Sequence, residues 1–326
     1  MKLWQKSLFV IIISIVLFIV LVLTTIGIYF YYIAIKRNDK SFLQKSLGFE
    51  EIDTVDEVPS GQIQEELEAG AIWVDERDHA IWRIKSRDGL TLASYYIPAK
   101  KPTKKTVILT HGYTSNGKDM GLYAKFFSEK LGFHVLLPDA RGHGKSEGNY
   151  IGFGWHERED ILLWIQKIIE RDGETAQIVL MGVSMGGATV MMVSGEDLPS
   201  QVKAIIEDCG YTSVYDELSY QLKQLYHLPS FPILPVTSII TDIRAGYNFY
   251  EASALEQVKK NNRPILFIHG EKDTFVPTKM VYELYNNAKG EKDIYIVPGA
   301  GHGKAYTVNP KAYETKIIDF LDPYIK

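Results

Sequence analysis

The sequence Gln-Ile-Val-Leu-Met-Gly-Val-Ser-Met-Gly-Gly at residues 177–187 has the composition of a buried strand that runs into a tight turn. Ser184 lies between Gly182 and Gly186 in a Gly-x-Ser-x-Gly pattern. A serine displayed on a sharp strand-to-helix turn needs small residues at both ends of the turn. The stretch therefore predicts a nucleophile elbow at Ser184, followed by a helix whose free N–H groups point toward the hydroxyl.

Composition limits the alternatives. With 326 residues, 46% of them hydrophobic, the chain can bury one large α/β core plus a tail. The net charge of −4 comes from acidic and basic residues mixed along the chain, which argues against nucleic-acid binding. Cys209 is the single cysteine, so the sequence excludes an intramolecular disulfide and a cysteine-rich metal site, and we expect a buried, inert thiol.

The first 35 residues have the composition of a membrane anchor. Leu8 to Ile35 carries no charged residue, and Trp4 at one end and Tyr29, Tyr31 and Tyr32 at the other are placed as in an aromatic belt. The run is longer than the apolar core of a cleaved signal peptide, so residues 1–35 predict an uncleaved transmembrane helix. Positive charges flank both ends of the run and do not decide its orientation. Residues 36–75 are charged, with apolar residues at helical spacing such as Ile63 and Leu67, and we interpret them as a stalk with one or two helices.

Residues 76–326 alternate apolar strands with amphipathic helices. A hairpin is expected over 79–99, and the alternation after it predicts a mostly parallel, doubly wound sheet covered on both faces. Residues 211–250 interrupt this alternation with an aromatic, proline-containing segment. We interpret that segment as a small helical cap over the strand ends, in which Leu225 and Phe231 contact the substrate. Ordinary helices that cover the sheet are the alternative.

An activated serine needs a base, and the base needs a carboxylate that orients it. In hydrolases with such an elbow, the acid and then the histidine follow the serine along the chain, which leaves His227, His269 and His302. His227 falls in the cap, and His269 reads as a packing residue at a strand end. His302 lies in a glycine-rich loop after the last strand, where a mobile imidazole can reach the site, so we predict that it is the base.

Two aspartates compete for the role of the acid. Asp273 follows a strand by a few residues, one strand and one helix before the histidine, and we assign the role to it. Asp208, at the end of the preceding strand, is the rival. The loop His111-Gly112-Tyr113-Thr114 follows the first parallel strand and should supply a second oxyanion donor. We expect the N–H groups of Tyr113 and Met185 to form the oxyanion hole.

Taken together, the elbow, the His111–Thr114 loop, the segment Asp139–Ser146, Asp273 and the Gly301-His302 pair resemble the α/β-hydrolase superfamily. The resemblance covers about residues 75–326. It is nearest to membrane-anchored, Gram-positive cell-surface hydrolases, which share features with the serine aminopeptidase S33-like group. This resemblance implies esterase, lipase or related acyl-hydrolase activity without a cofactor or a metal ion.

The expected function is hydrolysis of small carboxylic esters with short to medium acyl chains, by an enzyme held at the membrane with its catalytic domain outside the cell. A peptidase or thioesterase that uses the same three residues is the alternative within enzymes. A catalytically silent binding protein on the same scaffold is the alternative outside them. The sequence does not indicate the oligomeric state.

Overall fold

The computed structural model describes residues 3–38 and 60–326; most of the predicted stalk, residues 39–59, lies outside the described residues. The strands are β1 Ala80–Lys85, β2 Thr91–Ile97, β3 Lys105–Thr110, β4 His134–Pro138, β5 Gln177–Val183, β6 Val202–Asp208, β7 Ile265–Gly270 and β8 Lys292–Val297. The α-helices are α1 Leu3–Phe30, α2 Ser60–Asp75, α3 Gly121–Lys125, α4 Glu157–Asp172, α5 Met185–Ser194, α6 Val214–Tyr226, α7 Ser230–Ala245, α8 Ala254–Val258, α9 Lys279–Asn287, α10 Ala305–Val308 and α11 Pro310–Leu321. Single π-helical turns continue α1 over Tyr31–Ile35 and α3 over Phe126–Lys130, and a 3₁₀ turn, Gly117–Met120, precedes α3.

The eight strands form one sheet in the order β1-β2-β4-β3-β5-β6-β7-β8. β1 and β2 form the predicted antiparallel hairpin, β2 pairs antiparallel with β4, and the remaining neighbours are parallel. Successive residues of the central strands feed two cores: Ile108 of β3 packs on one side, and Val107 and Leu109 pack on the other. The predicted mostly parallel, doubly wound sheet is therefore confirmed, because both faces of the sheet are covered.

The N-terminal helix is the longest element that the structure describes. The most apolar 18-residue window of the segment Trp4–Ile35 has a mean hydropathy of 3.3 and is wholly unburied, and the segment is long and apolar enough to cross a membrane. Its C-terminal end is different. Phe30, Tyr31 and Ile35 are buried. Two backbone hydrogen bonds, from Ile151 N–H to Ile35 O and from Arg37 N–H to Asn149 O, both 2.8 Å, join this end of the helix to the domain.

Helix α2 falls in the region that the sequence assigns to a stalk, yet it packs on the folded domain. Trp73 and Val74 are buried in the second core. A Cβ atom at Gly70 would lie 2.5 Å from the backbone N of Leu122, which shows how closely the two helices approach. The assignment of 60–75 to a stalk is thus corrected: its apolar side chains find a partner surface that the sequence does not reveal.

The segment between β6 and β7 contains α6 and α7, where the sequence predicts the cap. Helix α6 begins after Ser213, whose hydroxyl accepts a hydrogen bond from the N–H of Asp216. Helix α7 packs against the C-terminal part of α1. The contact centres on Gly27, where an added Cβ would lie 2.8 Å from Ile240 Cδ1 and 2.9 Å from Val236 Cγ1. The cap and the N-terminal helix therefore form one packed unit.

Candidate active site

Ser184 has the strained backbone expected of a nucleophile elbow. Its φ of 58° and ψ of −118° lie in a region that residues with a side chain rarely adopt. The flanking glycines are required by close approach: a Cβ at Gly182 would lie 2.1 Å from the carbonyl oxygen of Gly186, and one at Gly186 would lie 2.0 Å from that of Thr110. Strand β5 and helix α5 thus meet at a turn that holds Ser184 at the carboxyl edge of the sheet.

A chain of two hydrogen bonds joins the three residues that the sequence analysis selects. The hydroxyl of Ser184 donates to His302 Nε2 at 2.9 Å. On the other side of the ring, Nδ1–H donates to Asp273 Oδ2 at 2.8 Å. The second oxygen of Asp273 accepts the N–H groups of Phe275 and Val276, both at 2.9 Å, and these bonds hold the carboxylate in position. This is the geometry that nucleophile, base and orienting acid require.

The pKa shifts of Asp273 and His302 agree with their roles as orienting acid and base. Burial alone would raise the pKa of Asp273, but the positive charge of His302 and hydrogen bonds from His269 and His302 hold it below its usual value. Burial alone would lower the pKa of His302. The charge of Asp273 and its hydrogen bond outweigh that effect and raise the pKa of His302 above the usual 6.5. The carboxylate therefore stays ionised and stabilises the imidazolium that forms when His302 accepts a proton.

The rival residues have other partners. Asp208 Oδ2 accepts the hydroxyl of Tyr313 at 2.7 Å, and burial raises the pKa of Asp208 to about 6. His227 is exposed and ends α6 in a left-handed conformation with a φ of 54°. His269 is fully buried, and its Nε2 lies 2.9 Å from the carbonyl oxygen of Val276 and 3.2 Å from Asp273 Oδ2. His269 therefore supports the acid, a role that its place at a strand end does not indicate.

The predicted oxyanion loop lies beside the serine. A Cβ at Gly112 would be 3.5 Å from Ser184 Cβ. His111 buttresses the loop, because its Nε2 accepts the N–H of Ala140 at 3.0 Å. Met185 is buried at the first position of α5, where backbone N–H groups have no partner within the helix. The surroundings suit the N–H groups of Tyr113 and Met185 as oxyanion donors.

A cavity opens beside Ser184, and its walls are mostly apolar. Helix α6 contributes Leu218, Leu222, Leu225 and Tyr226, α7 contributes Leu234 and Thr237, and the N-terminal helix and its π-helical turn contribute Phe30, Ile33 and Ala34. The cavity has a volume of about 100 Å³.

Two features of this cavity are missed by sequence reasoning. The first is the wall formed by the end of the N-terminal helix. An apolar run in the sequence does not indicate that its end will line a cavity. The second is Glu217 of α6, a fully buried carboxyl group whose pKa burial raises to about 8. Phe231 was expected in the pocket and is not there. Its side chain is 75% exposed, and the chain at this residue has a non-helical φ and ψ.

Cys209, Asp273 and His302 place potential metal ligands within 4.8 Å of one another. Two of these side chains already bond each other through His302 Nδ1 and Asp273 Oδ2. Burial raises the pKa of the Cys209 thiol well above its usual value, which disfavours the thiolate that binds metals. The three residues therefore fit a proton-transfer unit better than a metal site.

The sheet order, the elbow and the cap between β6 and β7 define an α/β-hydrolase fold. Comparison with known proteins agrees, since residues 101–226 match the family model described as serine aminopeptidase, S33. The protein YqkD of Bacillus subtilis is 30% identical over 248 residues, an alignment that covers 76% of this chain and 81% of YqkD. The chain belongs to the α/β-hydrolase superfamily, which confirms the resemblance seen in the sequence.

Two further comparisons extend this result. The lysophosphatidylserine lipase ABHD12 of Danio rerio is 27% identical over an alignment that covers 62% of this chain and 52% of that protein. The solved structure of an esterase from Pyrococcus furiosus superposes with a TM-score of 0.63 at 23% identity, over 77% of this chain and 94% of the esterase. At that identity the likeness concerns the fold. The chain is thus a member of a hydrolase family with esterases among its structural neighbours.

Proposed function

We propose that the protein is a serine hydrolase that cleaves carboxylic esters with short to medium acyl chains. The observation that carries the proposal is the hydrogen-bond chain from Ser184 through His302 to Asp273. The apolar walls of the adjoining cavity support an acyl group as the part of the substrate that is bound. The lipase and the esterase among the similar proteins point to the same chemistry.

In the proposed mechanism, His302 Nε2 takes the proton from Ser184 as its oxygen attacks the ester carbonyl carbon. The carbonyl oxygen becomes an oxyanion that the N–H groups of Tyr113 and Met185 stabilise. The tetrahedral intermediate then collapses, the bond to the alcohol oxygen breaks, and His302 gives its proton to that oxygen. Water, deprotonated by His302, attacks the acyl-enzyme. The second collapse breaks the bond to the serine oxygen and releases the carboxylic acid, and His302 returns its proton to that oxygen, which restores Ser184.

Covalent labelling by a fluorophosphonate tests the assignment directly. Ser184→Ala should abolish labelling and lower ester hydrolysis at least about a thousandfold, because an activated serine and its base act as a unit. His302→Ala should cost a similar amount. Ser200→Ala, at an exposed serine, is the matched control and should leave both readouts unchanged. Persistent labelling of Ser184→Ala would contradict the assignment.

A substrate panel separates ester hydrolysis from the related chemistries. Matched p-nitrophenyl esters, amino-acid p-nitroanilides and acyl thioesters should be offered to the full chain. We expect the highest kcat/KM for the esters, since an apolar cavity offers little to a charged amino terminus. A preference for the anilides would instead indicate a peptidase. A labelled serine without turnover of any of them would indicate a binding protein.

We further propose that α1 crosses the cell membrane once and leaves the catalytic domain outside the cell. Lys2 and Lys6 precede the apolar run like the charged start of an uncleaved signal, and the group that the chain resembles contains surface hydrolases. Protease treatment of intact cells should degrade the domain. A domain that becomes accessible only after lysis would put it in the cytoplasm.

A further inference from the structure

The cavity beside Ser184 is bounded by the same helix that is apolar enough to cross a membrane. Phe30, Ile33 and Ala34, at its C-terminal end, line the cavity together with the catalytic serine. The ring of Phe30 is buried and meets that of Tyr226 edge to face, with centroids 5.3 Å apart. One continuous helix thus carries a lipid-compatible surface at one end and a pocket wall at the other.

This wall is tied to the catalytic loop. The hydroxyl of Tyr113, whose backbone N–H is a proposed oxyanion donor, donates a hydrogen bond to the carbonyl oxygen of Ala34 at 2.8 Å. The ring of Tyr113 stacks on Phe153, with centroids 5.2 Å apart. Displacement of the helix end would therefore disturb both the pocket and the loop. A helix that only attached the domain to the membrane would have neither effect.

The length of the N-terminal helix indicates where the pocket lies relative to the membrane. Trp4 and Tyr29 are 25 residues apart, or roughly 38 Å at about 1.5 Å per residue. This length covers a hydrocarbon core of about 30 Å and part of both headgroup layers. Tyr31 and Tyr32 follow, and the guanidinium of Arg244 lies over their rings at 5.3 and 5.7 Å from the centroids. Aromatic and cationic groups of this kind mark the membrane interface.

The cap presents apolar side chains at the same level. Helix α7 packs one face on Gly27 and leaves Ile239 and Ile243 exposed by 59% and 80%. These residues are four apart and lie on one face of the helix, next to the membrane-spanning segment. Exposed isoleucines beside such a helix would be covered by the same lipid layer.

We propose that the pocket takes single-chain amphiphilic esters directly from the lipid leaflet, and that Phe30, Ile33 and Ala34 form part of the acyl-binding wall. This inference rests on the proposed ester hydrolysis at Ser184. The ester head stays at the interface, where the catalytic residues lie, and the acyl chain enters between α1, α6 and α7. The N-terminal helix thereby determines acyl specificity in addition to holding the protein in place.

A photocrosslinking experiment on the full-length protein in phosphatidylcholine vesicles tests the wall. The probe is a fluorophosphonate with one alkyl tail of about eight carbons that ends in a diazirine. It first reacts with Ser184, and light then couples the tail to its neighbours. We expect crosslinks in the tryptic peptide between Lys6 and Lys36, near Ala34. Crosslinks confined to the rest of the chain would overturn the inference, whereas failure to label Ser184 would overturn the proposed function.

The acyl-chain specificity of variants gives a second test of whether the N-terminal helix lines the acyl-binding site. Ala34→Leu narrows the cavity, so kcat/KM for p-nitrophenyl decanoate relative to butyrate should fall at least about tenfold, which corresponds to two excluded methylene groups at roughly fourfold each. Thr24→Leu, at an exposed position of the same helix, is the matched control and should not change the ratio. An unchanged ratio in Ala34→Leu, with Ser184 still labelled by a small fluorophosphonate, would contradict the inference.

The source of the substrate is tested by surface dilution. At constant total decanoate ester, more phosphatidylcholine lowers the mole fraction of the ester in the bilayer. We expect the decanoate rate to fall in proportion to that mole fraction, while the butyrate rate follows the aqueous concentration. A decanoate rate that follows the aqueous concentration instead would show that the substrate does not come from the leaflet.

Discussion

The hydroxyl of Tyr113 and the carbonyl oxygen of Ala34 are 2.8 Å apart, although 79 residues separate them in the chain. The first belongs to the loop after β3 and the second to the helical turn that ends the N-terminal helix. This bond connects the segment proposed to hold the protein at the membrane with the segment proposed to stabilise the oxyanion.

Tyr113→Phe tests that connection, because it keeps the ring and the backbone N–H and removes only the hydroxyl. Fluorophosphonate labelling of Ser184 should persist. The free energy of unfolding should fall by about 1–3 kcal/mol, because the variant loses a hydrogen bond and leaves the partly buried carbonyl oxygen of Ala34 without its donor. Denaturant unfolding of the full chain in detergent measures it. Tyr250→Phe, at an exposed tyrosine of the cap region, is the control.

Asp273→Asn should lower turnover by up to about 10⁴-fold, because the amide no longer holds the imidazole in the reactive tautomer. Asp208→Asn should have a mild effect, since Asp208 bonds to Tyr313. Steady-state kinetics of the two variants give the ranking, and the reverse order would make Asp208 the acid.

The pH profile provides a second measure of the Asp273–His302 pair. His302 must be neutral to accept a proton, so kcat/KM should rise with pH through the pKa of His302, which the charge of Asp273 holds above 6.5. In Asp273→Asn that charge is gone, and the rise should move to lower pH. A rise that stays in place in this variant would mean that another group controls it.

Acyl-chain preference should depend on Leu225 and not on Phe231. On p-nitrophenyl esters, kcat/KM should climb from acetate to a maximum at short or medium chains and then fall, because each buried methylene contributes about 0.8 kcal/mol until the cavity is full. Leu225→Ala enlarges the cavity and should move the maximum to longer chains. Phe231→Ala should not move it. A maximum at palmitate in the unaltered protein would contradict the size of the cavity.

Glu217→Gln should stabilise the protein in a pH-dependent way. Burial raises the pKa of Glu217 to about 8, and its Oε2 has no hydrogen-bond partner among the described residues. Because the folded-state pKa lies above the unfolded value, wild-type stability falls as pH rises from about 4.5 to about 8. The advantage of the glutamine variant should therefore grow over that range, by roughly 3–5 kcal/mol at most. Unfolding curves at pH 5 and pH 8 measure it, with Glu283→Gln, on an exposed helix face, as the control.

The local sequence determined much of the fold and the candidate site. The Gly-x-Ser-x-Gly turn between an apolar strand and a helix predicts the elbow, because its geometry involves neighbouring residues and tolerates only glycine where backbones nearly touch. The alternation of strands and helices predicts the parallel sheet, and its carboxyl edge brings together loops that carry Ser184, Asp273 and His302. These features follow from short-range periodicity and from the order of elements.

Only the tertiary structure decided which surfaces meet. The sequence assigns residues 1–35 to a membrane helix but cannot show that Phe30 faces Ser184 across a cavity, because an apolar side chain suits lipid and protein equally well. For the same reason α2 could be read as part of a stalk, and Phe231 as part of the pocket. Hydrophobic burial is non-directional, so an apolar pattern predicts only that a segment will be covered. Packing between segments that are distant in the chain determines which surface covers it.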